Sequence, residues 1–159
     1  KTRLGTILHY AKQGQNKFLM NKLIAEITEP INRLIKEEKP DAVCFVPPTI
    51  RREVQVMKFI EDRLNLSLPA IDIMKISGII PVPQKSLNKL EDRILNVENT
   101  FAVTDMRKFK KVLLIDDAVG SGSTMNQIAE KIKSKGIAKS VIGLAVVGSF
   151  KGFDVITDI

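Results

Sequence analysis

Two periodicities alternate along the chain. From Asn16 onward, Leu19, Leu23, Ile27, Ile31 and Leu34 recur at helical spacing with Lys and Glu between them, which predicts a long amphipathic helix. Residues 4–12 predict a shorter helix before it, interrupted near Gly14. Pro30 falls inside the long pattern. It either kinks the helix or sits in the first turn of a second helix capped by Thr28.

After the Lys39-Pro40 break the pattern changes. Residues 41–46 form a short apolar run of the kind buried in a parallel sheet. Pro47, Pro48, Thr49 and Ile50 predict a turn, and residues 51–64 a helix. Further strands are expected at 70–76, 101–104, 112–115 and 141–147, with a helix from near Met125 to near Gly136. Residues 77–99 are the least regular part, with Gly78, Pro81, Pro83 and then a polar piece. A segment of that length inside a compact domain predicts a lid or binding loop. The order of elements predicts an α/β fold with a mostly parallel central sheet flanked by helices. There are no repeats or linkers, so residues 1–159 read as one domain.

One stretch carries chemistry. Val112, Leu113, Leu114 and Ile115 are followed by Asp116 and Asp117, then by Ala118, Val119, Gly120, Ser121, Gly122, Ser123 and Thr124. A strand-to-helix turn at the carboxyl edge of a parallel sheet is where such folds bind ligands. Gly120 and Gly122 let backbone N–H groups approach an anion closely, the three hydroxyls add donors, and the helix start adds partial positive charge. Two carboxylates would repel phosphate, so they suit sugar hydroxyls or a hydrated divalent cation. The stretch therefore reads as a site for a phosphorylated sugar. A Walker loop is excluded, because Ser123 stands where Lys is needed. A dinucleotide fingerprint is excluded too, because there the acid follows the glycines by about 20 residues.

Composition adds little and excludes something. The 44% apolar content is ordinary for a globular chain, and aromatics make up only 5%. A lone Cys44 permits no internal disulfide, which fits a cytoplasmic protein, and no Cys/His cluster suggests zinc. No run is long enough to span a membrane. The formal charge of +7 favours an anionic partner, a phosphorylated substrate or single-stranded nucleic acid. Few aromatics weigh against a base-stacking platform. The basic run at 107–111 reads as a solvated approach to the next strand, and His9 and Tyr10 read as structural. Position 1 is Lys and not Met, which leaves open whether sequence precedes it.

The acid pair followed by a Gly/Ser/Thr loop resembles the PRPP motif of type I phosphoribosyltransferases, across all of residues 112–124. Gln84, Lys85, Ser86, Leu87, Arg93, Asn96, Val97 and Phe101 resemble the lid pattern of the ComF-like members. Residues 7–12 resemble their Lys-bearing N-terminal helix, and a related domain is fused to some RecQ-type helicases. Two departures stand out. The chain lacks the zinc ribbon many ComF-like proteins carry, and 52–55 keeps only the final Gln of their longer first loop.

The resemblance implies 5-phosphoribosyl-1-pyrophosphate (PRPP) as substrate, with Mg²⁺. It implies that Asp116, Asp117 and residues 118–124 hold the phosphoribosyl group, with Mg²⁺ on the two aspartates directly or through water. Pro47, Pro48, Thr49, Arg51 and Arg52 would form the pyrophosphate loop. The two arginines at the head of the expected 51–64 helix oppose its dipole, and an anion there would offset that. Lys85 and Arg93 would act from the closed lid. The acceptor, a base or an amine, is not legible. Many such relatives dimerise, which leaves a homodimer open. The alternative is a non-catalytic module that senses PRPP or a nucleotide, or binds nucleic acid, in DNA uptake or processing.

Overall fold

The computed structural model describes residues 2–48, 52–76 and 101–148. The expected lid at 77–99, with Lys85 and Arg93, lies outside them, as do Thr49 and Arg51.

Two helices open the chain. α1 (Arg3–Gln13) is capped by Thr2, whose side chain accepts the Gly5 N–H. α2 (Lys17–Glu38) is capped by Asn16, which accepts from Phe18 and Leu19. These side-chain oxygens satisfy N–H groups that have no partner in the first turn. Pro30 lies within α2, and no second helix starts there. Thr28 is not a cap: its hydroxyl donates to the Ile24 carbonyl one turn back, at 2.6 Å. α2 ends on Lys39 in the left-handed region, and Pro40 prevents continuation.

The central sheet is parallel, in the order β1 (Ala42–Phe45), β4 (Phe109–Val119), β5 (Ala138–Gly148). Ala42 pairs with Val112 and Phe45 with Ile115, while Leu114 pairs with Gly143 on the other side. The strands exceed the expected 112–115 and 141–147, since the ladder between β4 and β5 runs from Phe109–Ala138 to Val119–Gly148.

The expected strand at 70–76 divides in two. Ala70 makes one parallel bridge to Val43 beside β1. The chain then leaves the sheet, and β2 (Ile73–Lys75) pairs antiparallel with β3 (Phe101–Val103). Asp105 explains the departure. Its buried carboxylate accepts the Asp72 N–H at 3.1 Å and the Arg107 guanidinium at 2.6 Å, and Arg107 also reaches the Ala70 carbonyl at 2.6 Å. Satisfying Asp72 this way removes it from the parallel ladder.

α1, α2 and α3 (Val56–Leu64) cover one face of the sheet, with Met20, Leu23, Ile27, Ile31 and Ile60 buried among them. α4 (Ser123–Ser134) covers the other, where Ile128 and Ile132 meet Val112 and Leu114. Each such fully buried aliphatic side chain contributes about 1.5–3 kcal/mol. α4 also holds the small sheet: the ammonium groups of Lys131 and Lys135 donate to the carbonyls of Phe101 and Val103 at 2.6 and 2.8 Å. Among the described residues no helix is long and apolar enough to cross a membrane.

Candidate functional site

The carboxyl edge of the sheet is where the chemistry-bearing residues meet. β4 keeps its ladder past the apolar run, so Asp116 and Asp117 sit inside the strand rather than after it, with Asp116 opposite Ala145. Adjacent strand residues point to opposite faces. Asp117 accordingly faces α1, and its Oδ2 lies 2.6 Å from Lys12 Nζ. Asp116 lies half-buried and accepts the Asp117 backbone N–H on Oδ1 at 2.8 Å.

The two carboxyls are electrostatically unlike. Burial, and next the charge of Asp117, push the Asp116 carboxyl up to about 6, against the opposing pull of the Asp117 N–H and of Lys12. A carboxyl shifted by burial and a neighbouring charge, at the wall of a cleft, is a candidate functional group. Burial also pushes the Cys44 thiol up to about 12, which leaves it an inert core residue and not a nucleophile.

Past Val119 the chain turns through Gly120 and Ser121, both exposed, into Gly122 with φ +79°. Only glycine takes that backbone without strain. Gly122 is the N-cap of α4 and provides no side-chain cap. The helix begins at Ser123, two residues before the expected start, so Ser123 and Thr124 lie in its first turn. N–H groups of a first turn have no partners within the helix. The Ser121 hydroxyl takes up one weakly, accepting from Ser123 N–H at 3.4 Å. The bend thus places N–H donors and a helix start a few residues beyond the acid pair.

The first loop approaches from β1. The expected helix over 51–64 starts only at Val56, so Arg52 is not in a helical turn and its charge does not oppose a dipole. Its guanidinium donates instead to the Lys12 carbonyl. Gln15 Oε1 accepts the Val54 N–H at 2.8 Å, and Gln55 donates to the Arg52 carbonyl at 3.2 Å. The end of α1 is therefore strapped to this loop.

A cleft of about 280 Å³ results. Pro47, Pro48 and Arg52 line it from the first loop, Asp116, Asp117 and Ala118 from β4, and Thr124 from α4. Val119, Gly120, Ser121, Gly122 and Ser123 are not among its lining residues; they continue the chain between Ala118 and Thr124. Lys12 and Gln55 also line the cleft, and neither was singled out as a site residue from sequence. For Lys12 the only signal was the resemblance of residues 7–12 to a Lys-bearing helix. Among the described residues, no group of three or more His, Cys, Asp or Glu side chains is placed to hold a metal.

The phosphoribosyl transferase domain family matches residues 18–149, most of the chain. The chain belongs to that family. The match starts after α1, so Lys12 lies outside it. Among curated proteins none matches the sequence. Two solved structures of family members are similar. A hypoxanthine phosphoribosyltransferase from Staphylococcus aureus shares 16% identity at TM-score 0.46, over 80% of this chain and 64% of its own. A purine phosphoribosyltransferase from Pyrococcus horikoshii shares 18% at TM-score 0.45, over 85% of this chain and 84% of its own. The chain thus spans less than two thirds of the staphylococcal protein.

Proposed function

We propose that this domain transfers a phosphoribosyl group from PRPP, releasing pyrophosphate as a base or amine attacks ribose C1. The observation that supports it best is the single cleft shared by the first loop, the acid pair and the start of α4. In this reading Gly120, Ser121, Gly122, Ser123 and Thr124 hold the 5-phosphate through N–H and hydroxyl donors. Asp116 and Asp117 face the ribose hydroxyls, and Pro47, Pro48, Thr49, Arg51 and Arg52 face the pyrophosphate. The C1–O bond breaks as the acceptor nitrogen bonds to C1, and its electron pair leaves with pyrophosphate. The ribose ring gains positive charge in between, and carboxylates below it favour that charge. Lys85 and Arg93 would close over the substrate and limit hydrolysis.

The donor set bears on Mg²⁺. Among the described residues the two carboxylates have no third protein ligand to make a closed cage, and Asp117 is already paired with Lys12. Mg²⁺ commonly keeps several waters and is shared with substrate phosphates. The residues present fit that arrangement, with Asp116 as the carboxylate free of Lys12's direct pairing. Bound so, the cation would neutralise charge on the leaving pyrophosphate. We propose that the domain belongs to the ComF-like branch, because its 84–101 pattern resembles that branch's lid.

A screen of bases and amines for PRPP-dependent pyrophosphate release tests the activity. Release with one acceptor class supports transfer. PRPP binding without release by any acceptor contradicts transfer and favours a sensing module.

A further inference from the structure

We propose that Lys12 is a substrate-binding residue of this cleft, its ammonium held by Asp117 so that it meets the pyrophosphate end of the bound ligand. The inference rests on the PRPP reading above and adds a residue from a helix that the family match does not include.

Three observations carry it. Lys12 sits in the last turn of α1, with its ammonium 2.6 Å from a carboxylate that is nearly sequestered from solvent. Its own side chain keeps 37% of its exposure and lines the cleft, so the charge is held at the cavity wall and not entombed. Its main chain fixes the direction. The Lys12 carbonyl receives the Arg52 guanidinium, and Gln15, just beyond α1, receives the Val54 N–H. The end of α1 is thereby tied to the first loop, while the ammonium reaches Asp117 on β4, in a cleft that Thr124 of α4 also lines. If α4 takes the 5-phosphate, a cation on the first-loop side faces the other end of the ligand.

The chemistry fits the place. Pyrophosphate carries several negative charges, so a further cation beside it is favourable. A lysine ammonium is a compact point charge with three donors, so it can keep one hydrogen bond to Asp117 and offer others to phosphate oxygens. Asp117 then acts through Lys12, as its positioning group, as well as on the sugar.

The competing reading is that Lys12 only neutralises a buried aspartate. Removing it would then cost stability and leave ligand affinity alone, because an unpaired buried carboxylate is destabilising. Calorimetric titration with two probes, PRPP and inorganic pyrophosphate, each with Mg²⁺, separates these readings. Lys12→Met is compared with Lys12→Arg and with Lys12→Met/Asp117→Asn, which leaves no unpaired charge if the single variant fails to fold. We expect Lys12→Met and the double variant to bind pyrophosphate about 10- to 100-fold more weakly, the loss of one charge-assisted contact. Lys12→Arg should recover part of it. Wild-type pyrophosphate affinity in a folded Lys12→Met, or in the double variant, overturns the assignment and leaves the PRPP reading intact. A wild type that binds neither probe overturns the PRPP reading itself, and the assignment with it.

Discussion

The Asp117 backbone N–H donates to the Asp116 carboxylate at 2.8 Å, while the Asp117 carboxylate turns the other way to Lys12 at 2.6 Å. One acid of the pair is thus neutralised by a cation. The other has main-chain donors, the Asp117 and Ala118 N–H groups, and a half-buried setting, and its carboxyl is pushed up to about 6. The two carboxylates thus have different partners: one holds a lysine, and the other lies half-buried at the cleft wall.

The titration has a sign. A carboxyl raised in the folded state binds protons that the unfolded chain has released, so stability falls as pH rises from about 4 towards 6. Asp116→Asn removes that dependence. It should stabilise the domain by roughly 1 kcal/mol near pH 7, after allowance for solvent on its open side, and by nothing below about pH 4. Urea unfolding across this range checks it. The same titration predicts that Mg²⁺–PRPP affinity weakens as pH drops through about 6, because a protonated acid carries no charge to hold a cation and accepts more weakly from a hydroxyl.

The two glycines of the bend should separate folding from binding. A Cβ at Gly120 would meet no atom within 4 Å, so Gly120→Ala should leave stability within about 0.5 kcal/mol. It should nonetheless weaken PRPP binding, since the methyl intrudes where an anion approaches the backbone. Gly122→Ala forces a side chain onto φ +79° and should cost about 1 kcal/mol in thermal unfolding.

Asp105 and Arg107 hold the small sheet to the large one. Arg107's guanidinium holds the buried Asp105 carboxylate well below the usual range, with the Arg107 and Asp72 N–H groups adding to it. A depressed carboxyl contributes stability that is present above about pH 4 and lost as pH falls towards its folded value. Asp105→Ala should cost about 3 kcal/mol near neutral pH, because the Asp72 N–H loses its acceptor and the Arg107 guanidinium keeps only the Ala70 carbonyl. Lys58→Ala, which breaks an exposed helical pair with Asp62, should change stability by less than about 0.5 kcal/mol. Chemical denaturation of both variants gives the contrast.

Pro30 is exposed in the middle of α2, where it has no N–H to offer the Glu26 carbonyl. Pro30→Ala restores that bond without losing core contact, and should raise stability by about 1 kcal/mol or more. A lower midpoint in thermal unfolding would contradict this.

What sequence revealed, and what it hid, follows from the range of the forces involved. Leu19, Leu23, Ile27 and Ile31 announced α2 because helical burial is periodic, and Val112 to Ile115 announced β4 because a doubly covered strand must be apolar. The acid pair and bend were legible because strand, carboxylates and small residues are contiguous. The departure of β2 from the parallel sheet was not legible. It depends on Asp105, 33 residues from the Asp72 whose N–H it accepts. Lys12 was missed as a site residue for the same reason. A lysine in the last turn of a helix is ordinary, and only the fold brings it to Asp117, more than 100 positions on.

In the proposed function the bend after β4 cradles a phosphoryl group while the two aspartates attend to its sugar. Calorimetric titration of PRPP with Mg²⁺ into the wild type and the Asp116→Asn/Asp117→Asn variant tests it most directly. Saturable binding by the wild type, weakened about tenfold or more in the folded variant, is the predicted result. No binding by the wild type, or equal binding by both, would contradict it.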